Sequence, residues 1–407
     1  MPTPPIFTLL PMLPVVRQVD GKWLMTRQFL DGVLEYQRAW DGDLKVVMDP
    51  ATSVAARYDS IEVGPKELPF EMIIEQHNSP RLAVHLRDSA VVLCGLSPRQ
   101  AGVAELCNKL GVPSIYNSEY NLRTRRQWVV AEQNNPIRMA HRYLKEGRTE
   151  TQYRKAVRAA VGLQANGTPT FDAYASLSRY PVLFFDNRMR SEMILTDEQL
   201  EARLRRLAPG RGLRLVFSGK LNRANGVMDL LSVARELIQQ EIRFELTIIG
   251  EGPLEATLRK RIEQWELSRC VRVEATRDFH KHLLPRLKRD YDLFICCHKQ
   301  GEPSCAYIEA LGCGLPVVGY SNDALRGLMG MADAGRTVAR NDSNRLSELV
   351  RELSWRPEII GNWSRSAIRF AQDNTFEDTW QRRTDHIRMI AELGRRDPAL
   401  QGVSASA

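Results

Sequence analysis

The second half of the chain alternates short apolar runs with longer segments in which apolar positions recur at helical spacing. Runs of about five to seven apolar, often β-branched residues are typical of strands, and the segments between them are long enough for helices. The predicted strands are 213–219, 244–250, 271–275, 291–297 and 316–320, and the predicted helices are 226–240, 253–266, 278–289 and 303–312. Because strand–helix–strand units close with a right-handed crossover, this alternation predicts a parallel, doubly wound sheet of the Rossmann type.

The first half repeats this rhythm with weaker contrast between its segments. The predicted strands are 6–12, 44–49, 61–64, 90–94 and 113–117, and the predicted helices are 22–39, 97–110 and 137–163. A further strand is expected at 181–186, a charged helix from about 196, and a last helix at 376–393. The predicted fold class is therefore α/β, with two Rossmann-like units in succession.

A chain of 407 residues exceeds what one hydrophobic core usually supports, which predicts two domains. We expect an N-terminal domain over 1–195, in which 166–195 forms a linker region opened by the turn Asn166-Gly167-Thr168-Pro169. Residues 196–375 are expected to form the C-terminal domain, and 376–407 a helix that packs back on the N-terminal domain, followed by a tail. Ligands bind beyond the carboxyl ends of parallel strands, so the chemistry is expected in loops that face a cleft between the domains.

Composition is that of a soluble globular protein, with 43% hydrophobic and 26% charged residues. No apolar run approaches the roughly 18 residues of a membrane span, and the N-terminus lacks the pattern of a secretory signal, so a cytoplasmic location is expected. The net charge of +8 would suit nucleic acid, anionic lipid or a phosphorylated substrate. The basic residues are spread along the chain, however, so a solvated basic surface is an equal alternative, and nucleic-acid binding is not expected.

Metal-binding patterns are weak. The seven cysteines include no CxxC pair, so we expect reduced thiols rather than a zinc site. Asp41-Gly42-Asp43 has the DxD form of a metal site, but it lies in a predicted turn between a helix and a strand, far from the second half. We therefore expect no metal.

Two glutamates stand at the start of the predicted helix 303–312. Helix N-terminal amides, here those of Ser304 and Cys305, suit a phosphate or the oxygens of a sugar. Glu309 follows Glu302 by seven residues, about two helical turns, so both side chains can face the same side and accept hydrogen bonds from vicinal hydroxyls. Two surface glutamates on an ordinary helix are the alternative.

A basic loop follows the predicted strand 213–219. Gly219 lets the backbone approach a ligand, and Lys220 and Arg223 supply cations that can neutralise a diphosphate. A basic loop without a ligand is the alternative. The tight junction Gly250-Glu251-Gly252-Pro253 follows the next strand and is weak as a signal on its own.

The segment 309–318, EALGCGLPVV, resembles nearly residue for residue the EAxxxGxPVV segment of the retaining nucleotide-sugar glycosyltransferases of the GT-B fold, the family often called family 4. The resemblance implies that Glu309 binds the ribose hydroxyls and that Glu302 contacts the donor sugar. In the family the two glutamates are separated by eight positions and here by seven, with Gly301 in the strict register. We interpret Glu302 as a carboxylate displaced by one position.

The loop 216–227 is similar to the FxGRLxxxKG pattern of the same family, with Lys220 where Arg is usual and Asn225 where the diphosphate-binding Lys is usual. The first difference keeps the charge, and the second removes it, so Arg223 becomes the expected substitute. The resemblance covers about 213–355 well and the first half loosely. The nucleotide-binding residues that it implies are Gly219, Lys220, Arg223, Gly250, Gly252, Ser304, Cys305 and Glu309.

The first half lacks the Gly-rich loop and the histidine that the family usually carries. Glu119 stands near the place of that histidine and is expected to orient an acceptor hydroxyl, with an ordinary loop glutamate as the alternative. His77 and His85 are expected to be structural. The cluster Arg123, Arg125, Arg126 and Trp128 would suit an anionic acceptor or lipid headgroup, or else forms a solvated helix face.

These patterns together predict a retaining glycosyltransferase with two Rossmann-like domains facing across a cleft. Its expected catalytic residues are Glu302, Lys220 and Glu119, its donor a UDP- or GDP-sugar, and its acceptor an unidentified glycan, lipid or small molecule. The resemblance implies no cofactor and no metal. Two alternatives stay open: a sugar-nucleotide epimerase on the same fold, and a binding protein without catalysis. A peripheral contact at the inner membrane face is the alternative to a purely cytoplasmic location.

Overall fold

The computed structural model describes residues 4–13, 15–18, 20–51, 60–275 and 278–396. The strands in chain order are β1 (Ile6–Leu10), β2 (Val16–Arg17), β3 (Trp23–Thr26), β4 (Asp43–Met48), β5 (Ser60–Val63), β6 (Glu71–Ile74), β7 (Ser89–Gly95), β8 (Ser114–Ser118), β9 (Gly162–Asn166), β10 (Tyr180–Phe184), β11 (Leu213–Ser218), β12 (Phe244–Ile249), β13 (Val271–Glu274), β14 (Leu293–Cys296), β15 (Val317–Tyr320) and β16 (Gly335–Val338).

The helices are α1 (Arg27–Ala39), α2 (Leu82–Leu86), α3 (Val103–Leu110), α4 (Leu122–Glu132), α5 (Pro136–Ala159), α6 (Thr168–Tyr174), α7 (Asp197–Leu204), α8 (Val227–Gln239), α9 (Glu255–Gln264), α10 (Leu284–Arg289), α11 (Cys305–Gly312), α12 (Asp323–Ala332), α13 (Ser343–Ser354), α14 (Pro357–Gln372) and α15 (Phe376–Arg396). A π-helical turn, Phe279–Leu283, leads into α10.

Seven parallel strands form the sheet of the first domain, in the order β10-β9-β8-β7-β1-β4-β6. A small antiparallel sheet of β2, β3 and β5 stands beside it. The last helix, α15, returns to this domain, where Ile387 and Ile390 share one apolar core with Phe7 and Tyr36. The carboxyl ends of β1, β7, β8 and β10 therefore lie along one edge of the sheet.

Six parallel strands form the sheet of the second domain, in the order β13-β12-β11-β14-β15-β16. All five strands predicted for this half are present, each with ends within two residues of the predicted ones. The sheet order reverses between β11 and β14, since β12 lies on one side of β11 and β14 on the other. The loops after β11 and β14 flank this switch point, where ligands of parallel sheets bind.

Three predicted helices of the first domain are shorter than expected. The predicted helix 22–39 begins as strand β3, and the helix proper starts at Arg27, where the Thr26 side chain accepts a hydrogen bond from the Phe29 amide at 3.3 Å. The helix of 97–110 is confined to Val103–Leu110. The predicted 137–163 divides into α5 and the start of β9, because Gly162 allows the chain to approach the His386 ring, 2.9 Å from where a Cβ would stand.

The region 166–195, expected as a linker within the N-terminal domain, contains regular structure of that domain. It contains α6 and β10, and β10 extends the first sheet by pairing with β9 over Tyr180–Phe184. The chain crosses between the sheets in the shorter connection 185–196. The apolar run of β10 explains the difference, because it completes a sheet edge rather than spanning solvent. The predicted strand 61–64 corresponds to β5, Ser60–Val63, which lies in the antiparallel sheet rather than in the parallel one.

Candidate functional site

Helix α4 and the turn before it bring the first domain against the second across the cleft. The Tyr120 hydroxyl donates to Glu302 Oε1 at 3.0 Å, and the Gly301 amide donates to Gln127 Oε1 at 2.8 Å. An ion pair between Arg123 and Asp323 at 2.9 Å adds the start of α12, so the loop after β14 and α12 are both held against α4 and the turn before it. Residues from both domains therefore converge at the carboxyl ends of their sheets.

Glu302 lies in this contact region, half-buried. Its carboxylate accepts hydrogen bonds from Tyr120 and, at 3.2 Å, from Gln300 Nε2. Burial raises the pKa of Glu302, while the Tyr120 hydrogen bond and the charge of Lys220 lower it and the charge of Glu119 raises it. The charges of Lys220 and Glu119 thus both act on Glu302, although the three residues come from separate loops.

Glu309 is buried on α11, with 4% of its surface exposed. Arg188, from the connection between the sheets, donates to Glu309 Oε1 through Nε at 2.7 Å, and its guanidinium lies 3.9 Å from the centroid of the Phe279 ring. A carboxylate accepts hydrogen bonds at about four positions, so this ion pair leaves capacity for hydroxyl donors. Sequence reasoning missed Arg188, because nothing in the local sequence links a lone arginine of a connection to Glu309.

The loop after β11 lies against the turn after β12. The Leu221 amide donates to the Glu251 carbonyl at 2.9 Å. A Cβ at Gly250 would stand 1.9 Å from the Gly219 carbonyl oxygen, and one at Gly252 would stand 2.5 Å from the Leu221 carbonyl oxygen. The glycines Gly250 and Gly252 therefore permit two loops to pack closely, and this packing holds the exposed Lys220 at the cleft.

Arg223 of the same loop is exposed and contacts the first domain. Its guanidinium reaches across to the first domain and donates to the Asn134 side chain. Asn225 is buried, donates to the Lys220 carbonyl at 3.0 Å and accepts from Gln300 Nε2 at 3.4 Å. The amide of Asn225 therefore ties the loop after β11 to the loop after β14. The next residue, Gly226, has φ +62° and no room for a Cβ, which would stand 2.0 Å from the Cys297 carbonyl oxygen.

Helix α11 begins at Cys305, two residues later than predicted, with Ser304 as its N-cap. The Ser304 side chain makes no capping hydrogen bond. The Cys305 thiol is half-buried and lies 4.0 Å from Asp186 Oδ2, while Gln28 Nε2 lies 3.3 Å from the same oxygen. The start of α11 thus faces the end of β10 in the first domain.

Two carboxylates lie on the first-domain wall of the cleft. Glu119 accepts from Asn117 Nδ2 at 3.0 Å and from Asn166 Nδ2 at 2.6 Å. Asp186 follows β10, and burial followed by the charge of Glu119 raises its pKa to about 6. Both line a cavity of about 440 Å³ whose other walls include Phe29 and Trp380. That volume lies within the usual range of roughly 300–1,000 Å³ for small-molecule sites.

Other candidates have structural surroundings. His77 is buried, its Nε2 lies 2.8 Å from the Val47 carbonyl, and burial lowers its pKa. His85 approaches Glu75 at 4.0 Å. Arg125 bonds Glu146 and Glu150 within the first domain. Of the remaining cluster residues, Trp128 is half-buried on α4 and Arg126 lies 4.2 Å from the Tyr143 ring centroid.

The Asp41-Gly42-Asp43 turn lies beside the start of β1, where the Asp43 amide donates to the Pro5 carbonyl at 3.1 Å. Asp41 is 92% exposed and pairs with Arg388 at 3.5 Å. Within the described ranges, no group of three or more His, Cys, Asp or Glu side chains is arranged to hold a metal ion. No helix in that part of the chain is both long and apolar enough to cross a membrane.

Comparison with known proteins identifies the second domain. Residues 199–369 match the family described as Glycosyl transferases group 1. The chain is 28% identical over 149 residues to the amylovoran biosynthesis glycosyltransferase AmsK of Erwinia amylovora, a match that covers 35% of this chain and 36% of that protein. The chain thus spans about 37% of the length of the curated relatives that it matches first. Residues 199–369 are therefore similar to the domain of the glycosyl transferases group 1 family.

Solved structures extend the likeness to both domains. The UDP complex of Anabaena Alr3699/HepE superposes with a TM-score of 0.62 at 12% identity, covering 97% of this chain and 100% of that one. Sucrose-phosphate synthase of Thermosynechococcus elongatus gives a TM-score of 0.64 at 13% identity, covering 96% and 98% of the respective chains. These likenesses show the fold, which is GT-B, and confirm the predicted pair of Rossmann-like domains.

Proposed function

We propose that the chain is a retaining glycosyltransferase that moves a sugar from a nucleoside diphosphate onto an acceptor hydroxyl. The observation that carries the proposal is that the two domains meet at one cleft: Glu302 accepts a hydrogen bond from Tyr120, the chain neighbour of Glu119, and the helix that carries Glu309 begins beside Asp186. The group 1 domain over 199–369 supports transfer chemistry, and the UDP held by the Anabaena relative supports a nucleotide-sugar donor. A UDP- or GDP-sugar remains the donor that we propose.

In this proposal the nucleoside lies beside α11, where Glu309 accepts hydrogen bonds from the ribose hydroxyls. Arg188 donates to the Glu309 carboxylate and so fixes its orientation, and the Arg188 guanidinium itself lies against the Phe279 ring. The diphosphate lies between Lys220 and the amides of Ser304 and Cys305 at the start of α11. A lysine and the positive end of a helix both favour negative charge, and they favour it more as the cleft excludes water.

The reaction breaks the bond between the sugar's anomeric carbon and the diphosphate oxygen, which keeps the electron pair. The acceptor oxygen forms its bond on the same face of the sugar, and its proton passes to the leaving phosphate. Lys220 stabilises the charge that grows on the leaving group, and Glu302 positions the donor sugar for attack. The chain's own residues supply the charge stabilisation, and the step requires neither metal nor cofactor.

The acceptor side is the cavity of the first domain. Glu119 and Asp186 lie where they can accept a hydrogen bond from an acceptor hydroxyl, and the walls formed by Phe29, Phe184 and Trp380 contact its apolar surface. Glu119 is held by two asparagine side chains, so its orientation is fixed before the acceptor arrives. A glycan, a lipid-linked sugar or a small molecule would each present such a hydroxyl.

A second candidate is a nucleotide-sugar-binding protein without catalysis, which the buried Asn225 favours because the usual lysine charge is missing there. Incubation with UDP- and GDP-sugars and a mixed acceptor library, with nucleoside diphosphate release as the readout, separates the two. Acceptor-dependent release supports transfer. Donor binding without release in any mixture supports the binding protein, and release of free nucleotide without an acceptor product indicates hydrolysis or epimerisation.

A further inference from the structure

The first half of helix α5 projects from the body of the first domain. Its second half is buried through Tyr153, Ala156 and Val157. Residues 136–145, by contrast, are exposed apart from the half-buried Met139. The Tyr143 side turns toward α4, where it lies under Arg126. The side of this half-helix opposite Met139 faces solvent.

That solvent-facing side carries large apolar side chains. Ile137 is 80% exposed and Leu144 is 70% exposed, and Ala140 stands between them. Spacings of three, four and seven residues place all three on one helix face. Val130, at the end of α4, is 54% exposed nearby in the same hairpin. Clustered apolar exposure of this kind marks an interaction surface rather than ordinary surface composition.

Cations flank the apolar face. Arg138, Arg142, Lys145 and Arg148 are all exposed, and within the described ranges none of the four forms an ion pair. His141 is exposed beside them. The acidic neighbour Glu146 turns inward to Arg125 at 2.8 Å, which leaves Glu132 as the exposed carboxylate of the hairpin. The surface is therefore strongly positive as well as apolar.

We propose that this surface, the α5 face, docks onto membranes that contain anionic lipid; it is defined by Ile137, Ala140 and Leu144 with Arg138, Arg142, Lys145 and Arg148. A convex helix that combines a short apolar stripe with unpaired cations suits the headgroup boundary, where the apolar side chains insert and the cations contact phosphates. The charge of the face is complementary to an anionic bilayer. Its convex shape offers no groove for a partner segment.

The α5 face adjoins the mouth of the cleft. The loop between α4 and α5 carries Asn134, which receives the Arg223 side chain of the second domain, and Gln127 of α4 receives the Gly301 amide. Docking would therefore place the cleft beside the bilayer surface. The inference concerns binding alone and stands or falls independently of the proposed reaction.

The test is flotation of the full chain with phosphatidylcholine vesicles, with and without phosphatidylglycerol. We expect binding to the anionic vesicles, weakened by salt because surface charges are screened. Ile137→Ser with Leu144→Ser, and separately Arg138→Gln with Arg142→Gln and Lys145→Gln, should each weaken binding about tenfold or more. Matched controls remove similar groups elsewhere: Val84→Ser with Ile238→Ser for apolar area, and Lys260→Gln with Arg269→Gln and Arg272→Gln for charge.

The controls should bind like the wild type, and circular dichroism should be unchanged in every variant. Failure of the wild-type chain to float with anionic vesicles overturns the proposal and leaves a protein partner as the occupant of the α5 face. Equal losses in the charge variant and its control would also overturn it, because net charge rather than this surface would then drive binding.

Discussion

The two walls of the cleft are built on the same kind of sheet edge but carry different charged groups. The second-domain wall combines the exposed Lys220 and the start of α11 with two carboxylates, Glu302 and Glu309, the latter paired with Arg188. The first-domain wall presents Glu119 and Asp186, and the charge of Glu119 contributes to the raised pKa of Asp186. The second-domain wall therefore offers a cation and helix amides to an anion, and the first-domain wall offers carboxylates to neutral hydroxyls.

This difference separates two sources of specificity. A diphosphate is recognised by charge, which a few cations and helix amides supply whatever the sugar is. An acceptor hydroxyl is recognised by carboxylates. Burying a carboxylate destabilises the folded state, so carboxylates are buried where binding requires them. Single substitutions on one wall at a time separate these two sources.

The largest effect is expected at Glu309. Glu309→Ala removes the proposed ribose ligand and leaves Arg188 without its carboxylate, so kcat/KM should fall by about 10³-fold or more through loss of donor binding. Glu348→Ala, which removes an exposed glutamate of α13, is the matched control. A folded Glu309→Ala chain with wild-type donor affinity and turnover would contradict the assignment of this wall.

Lys220→Ala should lower kcat/KM by about 10²–10³-fold, the scale of losing one charge-stabilising donor at a leaving group. Arg223 and Lys299 do not replace it, because Arg223 contacts Asn134 and Lys299 pairs with Asp229 at 2.9 Å. Lys260→Ala, on an exposed lysine of the same domain, serves as the control. Near-wild-type kinetics in Lys220→Ala would mean that another group stabilises the negative charge on the leaving diphosphate.

The sequence predicted this wall better than the other for a physical reason. Strands of the second sheet are largely buried, so β11, β12 and β14 are mostly apolar runs that end in glycine or in a polar loop. In the first domain the four-residue β3 runs directly into α1, so its short apolar pattern could not be distinguished from that of the helix. The small antiparallel sheet left no signal distinct from the parallel one.

The candidate site was predicted only in part, because its residues meet through the fold. Glu302 and Glu309 were predicted from their seven-residue spacing, and Lys220 from its place after the strand that ends at Gly219; the resemblance added their roles. Arg188 could not be predicted, since only the crossing between the sheets brings it to Glu309. Asp186 had a usable signal, because it is the last residue of the predicted strand 181–186, and ligands of parallel sheets bind at such strand ends.

Asn225→Lys tests whether the missing family charge can be restored. Asn225 is 9% exposed and its amide joins two loops, so a lysine there would break both hydrogen bonds and bury a charge. We expect a loss of about 1–3 kcal/mol of unfolding free energy and no tighter nucleoside diphosphate binding. Chemical denaturation and calorimetric titration measure the two. Tighter binding in a stable variant would mean that position 225 faces the phosphates.

Asp186 should make stability fall with rising pH. Its pKa is raised from the ordinary 3.8 to about 6 in the folded chain, so the native state binds more protons than the unfolded state between these values. The protonated form is favoured below this window, and the stability it gives is lost as pH rises through it. The free energy of unfolding of Asp186→Asn, taken relative to that of the wild type, should therefore rise by about 1–3 kcal/mol from the acid side of this pH window to the neutral side. A pH-independent difference between the two chains would contradict the raised pKa.

Tyr120→Phe is expected to have the smallest effect. The Tyr120 hydroxyl donates to Glu302 and lowers its pKa against the effect of burial, so removing the donor should raise that pKa further. The acid limb of the kcat/KM profile should then move to higher pH, with little change at its plateau. Tyr143→Phe, away from the cleft, should leave the profile in place. If the acid limb of the Tyr120→Phe profile does not move, the ionisation that produces this limb does not belong to Glu302.

The most direct test of the central claim, that the second-domain wall of this cleft holds a nucleoside diphosphate sugar through Lys220 and Glu309, is a thermal-shift titration with UDP, GDP and their sugars. A ligand that binds the native state alone raises Tm with its concentration. The account predicts that one of these nucleotides raises the Tm of wild type and of Glu119→Gln alike, and raises that of Lys220→Ala and Glu309→Ala far less. Absence of any rise in the wild-type chain, or an equal rise in all four, would contradict it.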